Sequence, residues 1–337
     1  MLTIGVIGYG YWGPNVVRNF NSILGASVVS VCDLDQSALY KAKKNYAGMQ
    51  ITRDCNDIIN SSDIDAVAII TPVSTHYDLA KKSLLNGKHI FIEKPFTANT
   101  AQAEELIELA DRKNLVIMVD HTFLFTSAVK KIKQLIDDDV LGELYYFDSI
   151  RVNLGLFQRD VNVVWDLAPH DLSIMNFLID KKPVAVSATG ISHFDNDIEN
   201  VAYITVYFSG NSIAHFNVSW LSPVKMRTTL IGGHKKMLVW NDLVADEKIR
   251  VYDRGIVNGD VLDREKMHSI RTNYRTGDMW SPRIEEVEAL RSETAYFVEC
   301  VDKNKKPYND GVAGLKVVEM LEASEKSLKM GGHVVYM

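Results

Sequence analysis

The first 120 or so residues switch back and forth between two periodicities. Short apolar runs rich in β-branched residues, LTIGVIG (2–8), ASVVSVCD (26–33), DAVAII (65–70), KHIFIE (88–93) and LVIMVD (115–120), have the form of strands buried on both faces. Between them lie SALYKAKKNYA (37–47), THYDLAKKSLLNG (75–87) and AQAEELIELADRK (101–113), which carry the spacing of amphipathic helices. Gly87 stands where a helix C-cap glycine belongs. Strands alternating with helices predict an α/β, doubly wound parallel sheet covered on both sides.

Beyond about residue 140 the rhythm changes. VAYITVYFSGNSIAHFNVSW (201–220) predicts a hairpin turning at Ser209-Gly210-Asn211. Ala202, Ile204, Val206 and Phe208 share one face of its first strand, and Ala214, Phe216, Val218 and Trp220 one face of its second. Further strand-like runs lie near 143–152, 183–191, 226–232 and 236–240, and two helices near 284–303 and 311–329 close the chain. YRTGDMWSP (274–282) has the composition of a loop, with Arg275 and Trp280 able to cap a site or simply pack. The expected second domain is α+β with a large antiparallel sheet, one face covered and one open. The expected division is 1–122 and 123–337, without a flexible linker.

Length and composition agree with this division. A chain of 337 residues exceeds the usual single-domain size, and 47% hydrophobic with 24% charged residues is ordinary for a globular protein. A net charge of −6 with no basic cluster argues against a general nucleic-acid binder. The N-terminus has no basic region or cleavage site of a signal peptide, and no apolar run reaches the ~18 residues of a membrane span. Cys32, Cys55 and Cys300 lack metal or redox spacing, so a cytoplasmic protein with reduced thiols is expected. His193, His215, His234 and His333 show no metal spacing either.

Three stretches carry chemistry. VIGYGYWGPN places Gly8, Gly10 and Gly13 as G-x-G-x-x-G between a strand and a helix, and Asp33 ends the next strand 20 residues after Gly13. In that context Gly8 permits a tight turn, Gly10 lets a pyrophosphate approach the backbone, and Gly13 lets helix pack on strand. The free N–H groups of the helix start then face the phosphates, and Pro14 costs little in a first turn. Asp33 would accept the ribose hydroxyls of NAD and repel the 2′-phosphate of NADP. Tyr11 and Trp12 fill the x positions, either packed or flanking the ligand. In GKHIFIEKPFT (87–97), Glu93 and Lys94 follow a buried run directly, with Pro95 next. Such charges are costly without partners or water, so this is a strand-end salt bridge beside a turn proline or part of a ligand site. In VVWDLAPHDLSIMNFLI (163–179), Leu172, Met175, Leu178 and Ile179 form an apolar stripe, and Asp166 and His170 stand one helical turn apart.

With these residues in hand the chain resembles the glucose–fructose oxidoreductase / inositol dehydrogenase (Gfo/Idh/MocA) family over nearly its whole length. The matching pieces are the glycine turn, Thr71-Pro72, His76, Glu93-Lys94-Pro95, and Asp166 with His170. The resemblance implies a Rossmann domain and an open-sheet substrate domain. It places Thr71, Pro72, His76 and Glu93 with Gly8, Gly10, Tyr11, Trp12, Gly13, Asp33 and Lys94 at the cofactor NAD, and a cis bond before Pro95. It also puts Lys94 at the oxygen of the reacting carbon, with His170 and Asp166 at the substrate. No metal is implied. Hydride would leave a carbinol carbon while the imidazole exchanges the hydroxyl proton and the lysine stabilises alkoxide. Two groups on one oxygen titrate as a coupled pair, so either Lys94 or His170 could be the proton acceptor.

Departures bear on the substrate. Val161 and Asn162 replace the paired glycines common before this aspartate, and no arginine stands near Leu124. Arg151, Asn153, Arg159 and Asn162 lie in a long polar segment that could reach an anionic substrate, or form an ordinary loop or subunit contact. The pattern is most similar to members acting on nucleotide-linked sugars, at a ring hydroxyl or keto carbon such as C3 of a UDP-N-acetylhexosamine. A free sugar or polyol dehydrogenase of the inositol type is the alternative. A non-catalytic NAD-binding regulator is the alternative from another class, disfavoured because Lys94 and His170 are both present. A homodimer or homotetramer joined through the open sheet is the expected assembly.

Overall fold

The computed structural model describes residues 1–155, 157–158, 161–194, 198–256 and 274–337. They form two compact units, Met1–Thr126 with Val287–Glu322, and Ser127–Glu286 with Ala323–Met337.

The first unit contains a six-stranded parallel sheet of β1 (Leu2–Ile7), β2 (Ala26–Cys32), β3 (Gln50–Thr52), β4 (Ala66–Ile69), β5 (His89–Glu93) and β6 (Ile117–Asp120). Its order is β3-β2-β1-β4-β5-β6, with every neighbouring pair parallel. Helices α1 (Gly13–Asn21), α2 (Gln36–Asn45), α3 (Cys55–Ile59), α4 (Val73–Leu85) and α5 (Thr100–Lys113) connect the strands. The β-branched runs are buried as their composition demands, with Ile4, Val6, Val31 and all of Ala66–Ile69 sealed from solvent. The strand order reverses between β1 and β4. At such a switch point the loops after the strands diverge and leave a crevice at the carboxyl edge of the sheet. Gly87 adopts the positive φ of 75° expected after α4.

The second unit is built on nine strands: β7 (Leu144–Leu154), β8 (Pro183–Ile191), β9 (Val201–Phe208), β10 (Ile213–Ser219), β11 (Leu221–Gly233), β12 (Met237–Asn241), β13 (Ile249–Ile256), β14 (Tyr274–Trp280) and β15 (Val335–Tyr336). Their order is β14-β13-β12-β11-β7-β10-β9-β8-β15. The sheet is mixed rather than wholly antiparallel, because β7 and β10 run parallel. The reason is connectivity. β7 feeds helix α7 (Val163–Leu178), which follows α6 (Ser127–Asp137) in the chain, and a strand that leaves through a helix can return alongside its neighbour. The hairpin β9–β10 forms as its pattern predicts. Ala202, Ile204, Val206, Phe208, Ala214, Phe216, Val218 and Trp220 are all buried, and α7 packs on these strands. On the other face Tyr203 and Ile213 are exposed.

Two expectations are corrected here. Residues 274–280 are an edge strand paired with β13, not a loop, and Arg275 there forms an ion pair with Asp253 at 2.8 Å. Its polar sequence suits an edge strand exposed to water, which hides the strand signal. The chain is also not divided once near residue 122. Helix α8 (Ala289–Asp302) and most of α9 (Gly311–Lys329) belong to the first unit. Phe297 of α8 completes an edge-to-face triangle with Phe20 of α1 and Phe91 of β5, at centroid distances of 5.4–5.9 Å.

Candidate active site

The glycine turn follows β1 at the switch point. Gly8 has φ 101°, and a Cβ there would lie 2.1 Å from the Ile70 carbonyl oxygen. A Cβ on Gly13 would lie 2.5 Å from the Gly8 carbonyl oxygen. The fold itself demands glycine at both positions. Gly10 differs: a Cβ there would meet nothing within 4 Å. The space beside Gly10 is open, as a pyrophosphate needs. Helix α1 starts at Gly13 with Pro14 in its first turn, no side-chain cap and no acidic residue there. Its N-terminal N–H groups and positive end are left to an anion. Asp33, just past β2, accepts the Tyr9 N–H through Oδ2 (2.6 Å) and the Asp35 N–H through Oδ1 (2.8 Å). Each oxygen keeps a lone pair for a ribose hydroxyl. These residues fit a dinucleotide.

Tyr11 and Trp12 part company. Tyr11 is 92% exposed. Trp12 leans on the hydrophobic core, and its indole N–H donates to Asp120 Oδ2 at 2.9 Å.

At the ends of β5 and β6 the charged groups cluster. The Lys94–Pro95 bond is cis. The Lys94 N–H donates to the Glu93 side chain at 2.9 Å, and Glu93 lies in register with Asp120. His76 is fully buried, with Nδ1 2.9 Å from the Pro95 carbonyl oxygen and Nε2 2.8 Å from that of Thr71. Burial holds the ring below its ordinary pKa, with the Lys94 charge adding to the effect. His76 therefore sits between the backbone at Thr71-Pro72 and that at Pro95, and as a neutral ring its single N–H donates to one of the two carbonyls. Its side chain is spent there, so it does not itself present a polar atom to a cofactor. Thr71 shares a hydroxyl hydrogen bond with Thr75 at 2.7 Å.

In the second unit, α7 carries Asp166 and His170 on successive turns. Asp166 Oδ2 accepts the indole N–H of Trp220 at 2.9 Å, which fixes its orientation. The predicted stripe Leu172, Met175, Leu178 and Ile179 is buried, but Ile179 caps the helix rather than extending it, and burial runs around most of the helix. Pro169 removes one helical hydrogen bond in the turn before His170.

Two residues expected to reach the substrate are engaged elsewhere. Arg151 lies inside the unit and grips Asp171 with two bonds, Nε to Oδ2 at 2.7 Å and a terminal nitrogen to Oδ1 at 2.9 Å. Asn162 is the N-cap of α7. Its side-chain oxygen accepts from Val164 and Trp165 N–H, and its amide donates to Glu199 at 2.8 Å. Asparagine at the end of a polar stretch is a cap signal in its own right. Asn153 lies on β7 beside Gly155. Arg159 lies outside the described residues.

Sequence reasoning passed over Asp120, Asp171, Trp220 and Glu293. Asp120 had a signal, since LVIMVD ends on an acid as KHIFIE does. Glu293 had none. Among the described residues no group of three or more His, Cys, Asp or Glu could hold a metal ion, and no helix is long and apolar enough to cross a membrane.

Known proteins agree with this picture. Residues 2–121 match the model of the GFO/IDH/MocA oxidoreductase family, NAD-binding Rossmann fold, and residues 129–239 match the GFO/IDH/MocA C-terminal domain. The chain is 26% identical to UDP-N-acetylglucosamine 3-dehydrogenase of Acidithiobacillus ferrooxidans over 76% of each chain. A solved structure of that enzyme superposes with a TM-score of 0.82 over 98% of both chains, at 22% identity. Inositol 2-dehydrogenase of Rhizobium meliloti is 25% identical over 96% of both chains. The chain spans about three-fifths (61%) of an uncharacterized oxidoreductase of Streptococcus pneumoniae that it also matches. The glycine turn with Asp33, the strand-end lysine and the two-part family match have one explanation: the chain belongs to the Gfo/Idh/MocA family of NAD-binding oxidoreductases.

Proposed function

We propose that the protein is an NAD-dependent dehydrogenase or ketoreductase acting on a ring carbon, C3 foremost, of a nucleotide-linked sugar such as a UDP-N-acetylhexosamine. The observation that carries the dehydrogenase reading is the open space at Gly10 with Asp33 beside it, at the same sheet edge as Lys94. Bound NAD supplies the hydride acceptor. Gly8, Gly10, Gly13 and Asp33 hold the dinucleotide, with Thr71-Pro72 and Glu93 shaping its nicotinamide end. His170 takes the hydroxyl proton as the carbinol carbon loses hydride, and the Lys94 ammonium stabilises the alkoxide that develops. Asp166, held by Trp220, orients the imidazole or a sugar hydroxyl. The name of the Acidithiobacillus relative supports the nucleotide-sugar substrate, with Asn153 and Arg159 as its contacts.

A second reading has its own support. Arg151 and Asn162 are occupied by structural bonds, which shortens the set of groups for a diphosphate, and the inositol dehydrogenase matches end to end. A free sugar or polyol would need no diphosphate site. Turnover of UDP-sugars and of free hexoses and inositols, with NAD and with NADP, separates these readings. We expect NAD to be preferred and the nucleotide form to have the higher kcat/KM. Equal turnover on a free sugar and its UDP form would sink the first reading. No turnover on either class would favour a non-catalytic NAD-binding regulator.

The protein also associates with itself through the open face of the nine-stranded sheet, where Tyr203 and Ile213 are each exposed. Sedimentation at micromolar concentration should give a dimer or tetramer, and a monomer alone would refute this interface.

A further inference from the structure

Asp120, Glu93 and Glu293 bring three carboxyl groups together inside the first unit. Asp120 and Glu293 are sealed from solvent; Glu93 keeps part of its surface open, yet its carboxyl is surrounded by protein and faces Asp120. Both oxygens of Asp120 already accept hydrogen bonds, Oδ2 from the Trp12 indole and Oδ1 from the Thr122 hydroxyl. Glu293 Oε1 accepts from the Asn309 amide at 3.0 Å. Its Oε2 makes no hydrogen bond among the described residues, yet the Glu293 side chain lies within reach of Asp120 and of the Thr122 hydroxyl, whose proton goes to Asp120.

Two carboxylates in contact repel, and a hydrogen bond joins them only when one holds a proton. Asp120 accepts on both oxygens, so the proton belongs on a glutamate. Burial and the neighbouring Asp120 charge push both Glu293 and Glu93 well above the usual carboxylate range. Among the described residues, the groups that act most on Glu293 are the Asp120 and Glu93 carboxyls and the Thr122 hydroxyl, not a cation. Lys94 acts on Glu93 and lowers it. His121, fully buried, is pushed down to about 3 by burial and the Lys94 charge, so its ring is neutral. The Tyr308 phenol is pushed upward by burial and by Glu293.

We propose that Glu293 is a positioning residue of the dinucleotide site: as a neutral carboxylic acid it donates to Asp120, and Asp120 holds Trp12 and with it the glycine-rich turn. The proposal rests on the NAD-binding reading of that turn. It gives α8 a function beyond packing, since this late helix supplies the proton that fixes a loop at the start of the chain. When Glu293 ionises as pH rises through its raised folded pKa, a second buried charge sits beside Asp120 and the hold on Trp12 weakens.

Linkage fixes the sign. A group whose folded pKa lies above the ordinary 4.5 binds more protons folded than unfolded. Its contribution is fully present below that ordinary value and is lost as pH rises through the folded pKa. The test is NAD binding by calorimetry, with the thermal midpoint, from about pH 6 to 9. Wild type should weaken in both as pH rises. Glu293→Gln keeps a neutral donor and an acceptor, so it should bind NAD within about two-fold of wild type at the lowest pH and show a flatter dependence of both readouts. Glu293→Ala should bind NAD about ten-fold more weakly, the scale of one buried hydrogen bond, and Trp12→Phe should reproduce that loss. The double variant should add little to either, because the two act through Asp120. A Glu293→Gln protein with the wild-type pH dependence would overturn the proposal, as would folded Glu293→Ala binding NAD normally. Wild-type protein that takes up no NAD would instead remove the dinucleotide site, and the proposal with it.

Discussion

Replacing Lys94 with methionine is expected to cut kcat by about 10²–10⁴, the scale of groups that stabilise an oxyanion or move a proton. Methionine keeps the length of the side chain and deletes its charge. His170→Asn keeps some hydrogen bonding and loses the titrating ring, and a fall of similar size is expected. Neither change touches Gly10 or Asp33, so NAD affinity should stay near wild type by calorimetry while turnover collapses. If Lys94 and His170 serve one oxygen, the double variant should lose less than the product of the two, because groups acting as a unit are not additive. Near-normal turnover in folded Lys94→Met would reduce Glu93-Lys94-Pro95 to a strand-end turn, and the catalytic assignment would be withdrawn.

The largest effect on stability is expected at Asp171. Its carboxylate and the Arg151 guanidinium are only 4% and 6% exposed, and they are joined by two hydrogen bonds. Asp171→Ala leaves a buried cation without this partner, and removing one member of such a pair costs about 3–5 kcal/mol. Denaturant unfolding should show the midpoint falling accordingly. Replacing Arg151 with Met and Asp171 with Leu together should recover most of the loss, since the second charge no longer needs solvation. Turnover should also drop in Asp171→Ala, because the pair anchors α7 on β7 next to His170. An unchanged midpoint would mean that the pair contributes nothing to holding the helix.

Much of this was legible in the chain because it is local. Period-two and buried runs mark β1, β2, β4, β5 and β6 through the side chains they must hide, and the hairpin β9–β10 shows its buried face by alternation. The glycine turn is legible for a different reason: backbone geometry at Gly8 and close approach at Gly13 exclude a Cβ, so the residue type records the conformation. Arg151 and Asn162 misled for the opposite reason. A polar residue in a polar stretch looks available, and only burial or a capping bond shows that it is taken.

A parallel Rossmann-type sheet and a dinucleotide turn with Asp33 were set by the chain alone, whereas roles for Lys94 and His170 came only with the family resemblance. The sheet and the turn depend on neighbours a few residues away, where chain geometry leaves little choice. Only long-range packing set β10 parallel to β7, made residues 274–280 an edge strand and returned α8 to the first unit. It alone placed Glu293 against Asp120 and Arg151 against Asp171. Those contacts join residues far apart in the chain, and a carboxyl becomes a proton-holding group only once folding has removed its water and set another carboxyl beside it.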